Sequence, residues 1–156
     1  MLDMSRDTHP PAPVPSTATV FRLSLWRDGA HVGWLGESAS EWAMLVPDIR
    51  RALLLQTCPY NGAVYYLATS WCGAPQPASD FPRFMAVSAD ACIGFYSWAN
   101  ASGFTREGRH LVADDTGQKL ALQSARSGDL CAWNGCSVLE VGFEPVATVV
   151  SARFRR

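Results

Sequence analysis

Turn-forming dipeptides recur along most of this chain, at Asp28-Gly29, Asn61-Gly62, Ser102-Gly103, Thr116-Gly117, Ser127-Gly128 and Asn134-Gly135. Asn and Asp enter left-handed backbone at low cost and Gly at none, so such pairs reverse the chain sharply and favour hairpins. The segments between them are short and apolar in alternation. Phe21, Leu23 and Leu25 interleave with Arg22, Ser24 and Trp26, and Leu139, Val141 and Phe143 interleave with Glu140 and Glu144. This period of two marks half-buried strands. The spacing predicts strands from Thr19, at Ala30 to Leu35, Ala63 to Trp71, Phe84 to Ser88, Cys92 to Trp98, His110 to Ala113, Lys119 to Gln123, Val138 to Phe143 and Val146 to Phe154. Strand and helix do not alternate as a parallel sheet requires.

One stretch reads differently. Ser38-Ala39-Ser40-Glu41 has the S-x-x-E form of a capping box, and Trp42, Leu45, Ile49, Ala52 and Leu53 follow at helical spacing. Pro47 within that run removes a backbone donor, so a helix there is kinked or restarts at Pro47. The expected fold is therefore α+β: a mainly antiparallel sheet, sandwich or open barrel, with one helical segment packed on it. Residues 1–18 carry Pro10, Pro11, Pro13 and Pro15 and little that packs. They read as a disordered or extended arm preceding a single domain over 19–156.

The charge balance, 13 Lys plus Arg against 14 Asp plus Glu, gives no broad electrostatic footprint for nucleic acid or an anionic membrane. No apolar run approaches the roughly 18 residues of a membrane helix, and the first 20 residues lack a signal peptide's apolar stretch, which predicts a cytoplasmic protein. The five cysteines, Cys58, Cys72, Cys92, Cys131 and Cys136, are odd in number and read as reduced thiols. Cys131 and Cys136 flank Asn134-Gly135, and a two-residue turn there would bring the two thiols close. No histidine pairs with a cysteine at ligand spacing and no glycine-rich phosphate loop is present, so no metal or cofactor is expected.

Two motifs carry candidate chemistry. Ser70-Trp71-Cys72-Gly73-Ala74-Pro75 resembles the start of a thioredoxin active site, but Pro75 stands where that family has its second cysteine. Cys72 remains a candidate nucleophile with His110 as base and Asp114 or Asp115 orienting the imidazole. Asp115-Thr116-Gly117 resembles the D-T-G of aspartic proteases, which in single copy implies a homodimer; Asp114 and Gln118 stand where that family has apolar residues. The same residues make an ordinary polar turn.

Six tryptophans are many for 156 residues, and Trp and Tyr anchor binding surfaces by combining large apolar area with a polar handle. Trp26 shares the outward side of its strand with Arg22 and Ser24. Phe95, Tyr96 and Trp98 form a second aromatic group, so Trp26, Arg22, Trp98 and Tyr96 are the candidate binding residues. The leading expectation is a non-catalytic protein that binds another protein as a regulatory, inhibitor or immunity-type factor, with a homodimer compatible. The alternatives are a thiol enzyme using Cys72 and His110, and a small-ligand or carbohydrate-binding β module with a tryptophan platform.

Overall fold

A computed structural model of the chain describes residues 14–69, 82–124 and 126–148. Apart from two single-turn 3-10 segments, Ile49–Arg51 and Trp98–Asn100, the regular structure among these residues is β. The strands are β1 (Thr19–Arg27), β2 (Ala30–Glu37), β3 (Ala43–Val46), β4 (Leu54–Tyr60), β5 (Ala63–Thr69), β6 (Arg83–Val87), β7 (Ile93–Tyr96), β8 (Phe104–Glu107), β9 (His110–Ala113), β10 (Leu120–Leu122), β11 (Leu130–Ala132), β12 (Ser137–Val138) and β13 (Glu140–Thr148). Every pairing is antiparallel.

Six of these strands curl into a nearly closed barrel. β13 pairs β1 along its length, β1 pairs β4, β4 pairs β5, and β8 pairs β9. β5 packs beside β8, and Val141 N on β13 donates to Arg109 O, just before β9, at 2.8 Å. Inward residues of these strands fill the barrel, among them Phe21, Leu23, Leu25, Leu55, Tyr66, Phe104, Leu111, Val141 and Phe143. At the centre Phe21 meets Tyr66 and Phe143 edge-on at 6.2 and 5.5 Å, and Tyr66 stacks parallel to Phe143 at 6.5 Å. Edge-to-face packing aligns ring quadrupoles as well as burying area.

The other strands form three hairpins, β2–β3, β6–β7 and β10–β11, built alike. Each turn holds one residue in left-handed backbone: Glu41 at φ 69, Ala91 at φ 67 and Gly128 at φ 79. The carbonyl of each accepts a hydrogen bond from a neighbouring hairpin: Phe95 N to Glu41 O at 3.3 Å, Ala132 N to Ala91 O at 2.9 Å, and Leu45 N to Gly128 O at 2.7 Å. Each donor stands four residues after the left-handed residue of its own hairpin. Each hairpin thus gives one bond and receives one, and the three close a trefoil. Leu53 N to Leu35 O, Ser102 N to Met85 O and Leu139 N to Leu120 O, at 2.9, 3.2 and 3.0 Å, tie the hairpins to the segments that follow them.

The helix read over Trp42 to Leu53 does not form. Ser38 Oγ accepts from Ser40 N and Trp42 N, both at 3.2 Å, and Ser38 N donates to Trp42 O at 2.8 Å. The apparent capping box is therefore the turn of the β2–β3 hairpin. The same serine geometry closes the β6–β7 turn, where Ser88 Oγ accepts from Asp90 N and Cys92 N. Pro47 ends β3 rather than kinking a helix, and Asp48 caps the 3-10 turn by accepting from Arg50 N at 2.9 Å. The fold is accordingly almost all β rather than α+β. A second correction concerns Asn134-Gly135: β11 and β12 do not pair with each other but flank β10 on opposite sides, so this turn carries the chain around the end of β10.

Residues 14–18 of the predicted arm lie alongside β4, where Thr57 Oγ1 donates to Pro15 O at 3.0 Å and Gln56 Nε2 to Thr17 O at 3.1 Å. Among the described residues no helix is long and apolar enough to cross a membrane.

Candidate binding surface

Four aromatic residues from separate elements converge on the outside of the barrel. Tyr66 points into the core, so the alternation of β5 turns Tyr65 outward. Tyr60 ends β4 just before the Asn61-Gly62 turn, whose φ values of 51 and 80 suit a two-residue hairpin. Trp98 opens the 3-10 turn after β7. Its ring lies 4.6 Å from Tyr65, 5.3 Å from Tyr60 and 5.1 Å from Phe84 of β6. The interplanar angles are 59°, 87° and 67°, so these rings buttress Trp98 by their edges. Phe84 is buried beneath, while Trp98 is 42% exposed and Tyr60 54%. An indole wedged upright on a rigid sheet presents apolar area with little conformational freedom left to lose.

The other predicted binding residues lie elsewhere. Phe95 enters the core, and Tyr96 stands edge-on to Trp42 at 6.2 Å, where burial raises its phenol pKa. Trp26 is half-buried rather than projecting. Its Nε1 donates to Ser24 Oγ at 2.9 Å, and it leans on His31 at 5.0 Å, which meets Trp34 at 4.9 Å. Arg22 sits on the same outer face of β1, opposite Glu144 of β13, and Ser24 Oγ donates to Glu144 Oε2 at 3.2 Å.

Of the candidate catalytic residues, His110, Asp114 and Asp115 are described. Cys72 lies outside the described residues. His110 and Asp114 bracket β9, separated by about 13 Å of extended chain. His110 Nδ1 lies 3.2 Å from Leu139 O, so it carries a proton there. Asp114 Oδ1 accepts from Thr105 Oγ1 at 2.7 Å, and Asp115 Oδ2 accepts from Ser102 Oγ at 3.0 Å. Gly117 N donates to Ala113 O at 2.8 Å with Gly117 at φ 72, so Asp115-Thr116-Gly117 forms the turn after β9. Among the described residues no group of three His, Cys, Asp or Glu side chains is placed to hold a metal ion.

A smaller feature sits where the three hairpins meet. Ala43, Ile93 and Leu130, one from each hairpin, floor a cavity of about 150 Å3 rimmed by Trp42, Cys92, Gln123 and Asp129. Trp42 lies over Gly94, where an added Cβ would come within 3.1 Å of the indole. Tyr60, Tyr65 and Phe84 were absent from the predicted site. The signal for Tyr65 was legible in its alternation with Tyr66, but that for Phe84 was not, because its partner Trp98 lies 14 residues on in a segment whose turn the sequence does not mark. Compared with known proteins, the chain matches no family model, no curated protein and no solved structure.

Proposed function

We propose that this chain is a non-catalytic binding protein that captures a protein partner through the Trp98 surface. The observation that carries this reading is the exposed Trp98 and Tyr60 pair braced by Tyr65 and Phe84. Braced, low-entropy aromatics of this kind dominate the energetics of protein interfaces. The edge-on rings make a ridged surface rather than a flat one, which suits an anchor entering a partner's pocket better than a sugar ring stacking on a face.

Partner capture by wild type is compared with that by Trp98→Ala, Tyr60→Ala and the exposed control Trp133→Ala, whose ring is not among those packed on Trp98. Loss of a hot spot of about 2 kcal/mol weakens binding roughly 30-fold. The expected result is loss with the first two and retention with the third, all three keeping the wild-type thermal transition. Equal capture by Trp98→Ala and wild type overturns the proposal.

A second reading rests on the cavity at the hairpin junction, which fits a small ligand against Trp42 with Asp129 and Gln123 as polar contacts. Quenching of tryptophan emission that Trp42→Phe abolishes and Trp98→Ala leaves intact would support it.

A further inference from the structure

Three of the five cysteines meet on one patch of the hairpin trefoil. Cys92, at the turn of β6–β7, stands directly opposite Cys131 of β11 in an antiparallel bridge. The flanking hydrogen bond, Ala132 N to Ala91 O at 2.9 Å, makes this a non-hydrogen-bonded pair. In such pairs the Cα atoms approach to about 4.5 Å, with side chains on the same side, which falls within the roughly 4.4 to 6.8 Å span of disulfides. On the other side of Cys131, Ala121 of β10 pairs with both Cys131 and Val138 and fills little of the space between them. Cys136, folded back by Cys136 N donating to Trp133 O at 3.0 Å, lies near enough to Cys131 for its thiol to act on that of Cys131. Cys131 is 3% exposed, whereas Cys92 and Cys136 are half-buried, and all three are free thiols.

We infer that these residues form an oxidant-responsive thiol group in which Cys131 is the common partner, able to be linked to Cys92 or to Cys136 but unable to be bypassed. With hydrogen peroxide as oxidant, the accessible sulfur of Cys92 or Cys136 attacks a peroxide oxygen, breaking the O–O bond. The products are a sulfenic acid and one water. Cys131 sulfur then attacks the sulfenic sulfur; the S–S bond forms, the S–O bond breaks, and a second water leaves with the Cys131 proton. Two thiols have lost two electrons and two protons, and one peroxide has become two waters. The remaining accessible thiol attacks Cys131 sulfur and releases the first partner, so the disulfide moves by exchange. Burial raises the Cys131 pKa to about 12, which keeps this thiol protonated and leaves the first attack on peroxide to its neighbours, while contact with the sulfenic sulfur brings it into the second.

The test treats the full chain with hydrogen peroxide, alkylates free thiols in denaturant and maps peptides by mass spectrometry. Wild type should yield one disulfide per chain, with Cys131 in every linked species. Cys92→Ser should yield only Cys131–Cys136, and Cys136→Ser only Cys92–Cys131. Cys131→Ala, chosen because the site is apolar, should leave Cys92 and Cys136 unlinked to each other. Free Cys131 in the oxidised wild type, its linkage to Cys58 or Cys72, or a Cys92–Cys136 bond in Cys131→Ala would each overturn the inference. The two serine variants replace half-buried residues, so they keep the proposal falsifiable even where Cys131→Ala does not fold.

Discussion

Glu41, Ala91 and Gly128 occupy the same left-handed position in three turns, and only the third is the residue type that adopts it freely. A side chain there costs about 1 to 2 kcal/mol, while glycine costs about 0.4 to 1 kcal/mol in unfolded-state entropy. The first term wins, so Ala91→Gly should stabilise the protein by about 0.5 to 1 kcal/mol, read from the urea midpoint. Gly128→Ala should act in the opposite direction and more strongly, because its Cβ would also stand 3.0 Å from Leu45 O. A lower midpoint for Ala91→Gly would show that its turn gains nothing from glycine. These positions were poorly legible in the sequence. Ser127-Gly128 announces its turn, but Ser38 to Trp42 and Ser88 to Cys92 turn by serine hydroxyls and a forced non-glycine residue, which no dipeptide signals.

Helix and hairpin compete for the same letters in residues 38–53. Serine caps a helix and closes a β-turn by the same act, accepting backbone N–H groups two to four residues on. Trp42, Leu45 and Ile49 fit helical spacing, yet Ala43 and Val46 are the buried ends of β3 while Leu45 is only half-buried. The neighbouring strand decides the outcome: β2 carries Gly33 and Gly36 against β3, and each leaves room that a side chain would fill. A Cβ on Gly33 would lie 2.7 Å from Leu45 Cδ2 and 2.8 Å from Val46 O, and one on Gly36 2.7 Å from Val46 Cγ1. Overpacking of this kind costs about 1 to 3 kcal/mol. Gly33→Ala should therefore lower the thermal midpoint by several degrees, and an unchanged midpoint would mean that β3 is not held against β2 as described. Among the barrel strands β4 and β8 were missed, but β1, β5, β9 and β13 were legible because their apolar pattern stands alone, as in Leu139 to Phe143. β3 and β11 were not, because they are three or four residues long and take their strand character from partners.

Over the whole molecule, the least visible property is how much the fold relies on neutral buried acids. Burial raises the Cys131 thiol from 9.0 to about 12 and pushes the Tyr66 phenol up as well. The unfolded chain then releases these protons at lower pH than the folded one does. Their contribution is complete below about pH 9 and is lost as pH rises beyond it, by at most about 1.4 kcal/mol per pH unit for each group. Urea midpoints under reducing conditions should fall progressively above about pH 9, and the slope should flatten in Tyr66→Phe and in Cys131→Ala. A slope unchanged in both variants would assign the alkaline loss to other groups. The long pairing of β1 with β13, which sets Thr19 opposite Thr148 and Trp26 opposite Glu140, has a consequence during synthesis. A ribosome delivers β1 early, but its principal neighbour emerges more than a hundred residues later. Until then β1 has only β2 and β4 to pair with, and the edge that β13 covers stays open. Non-local closure of this sort is slow, so the nascent barrel waits open along this edge until β13 has emerged.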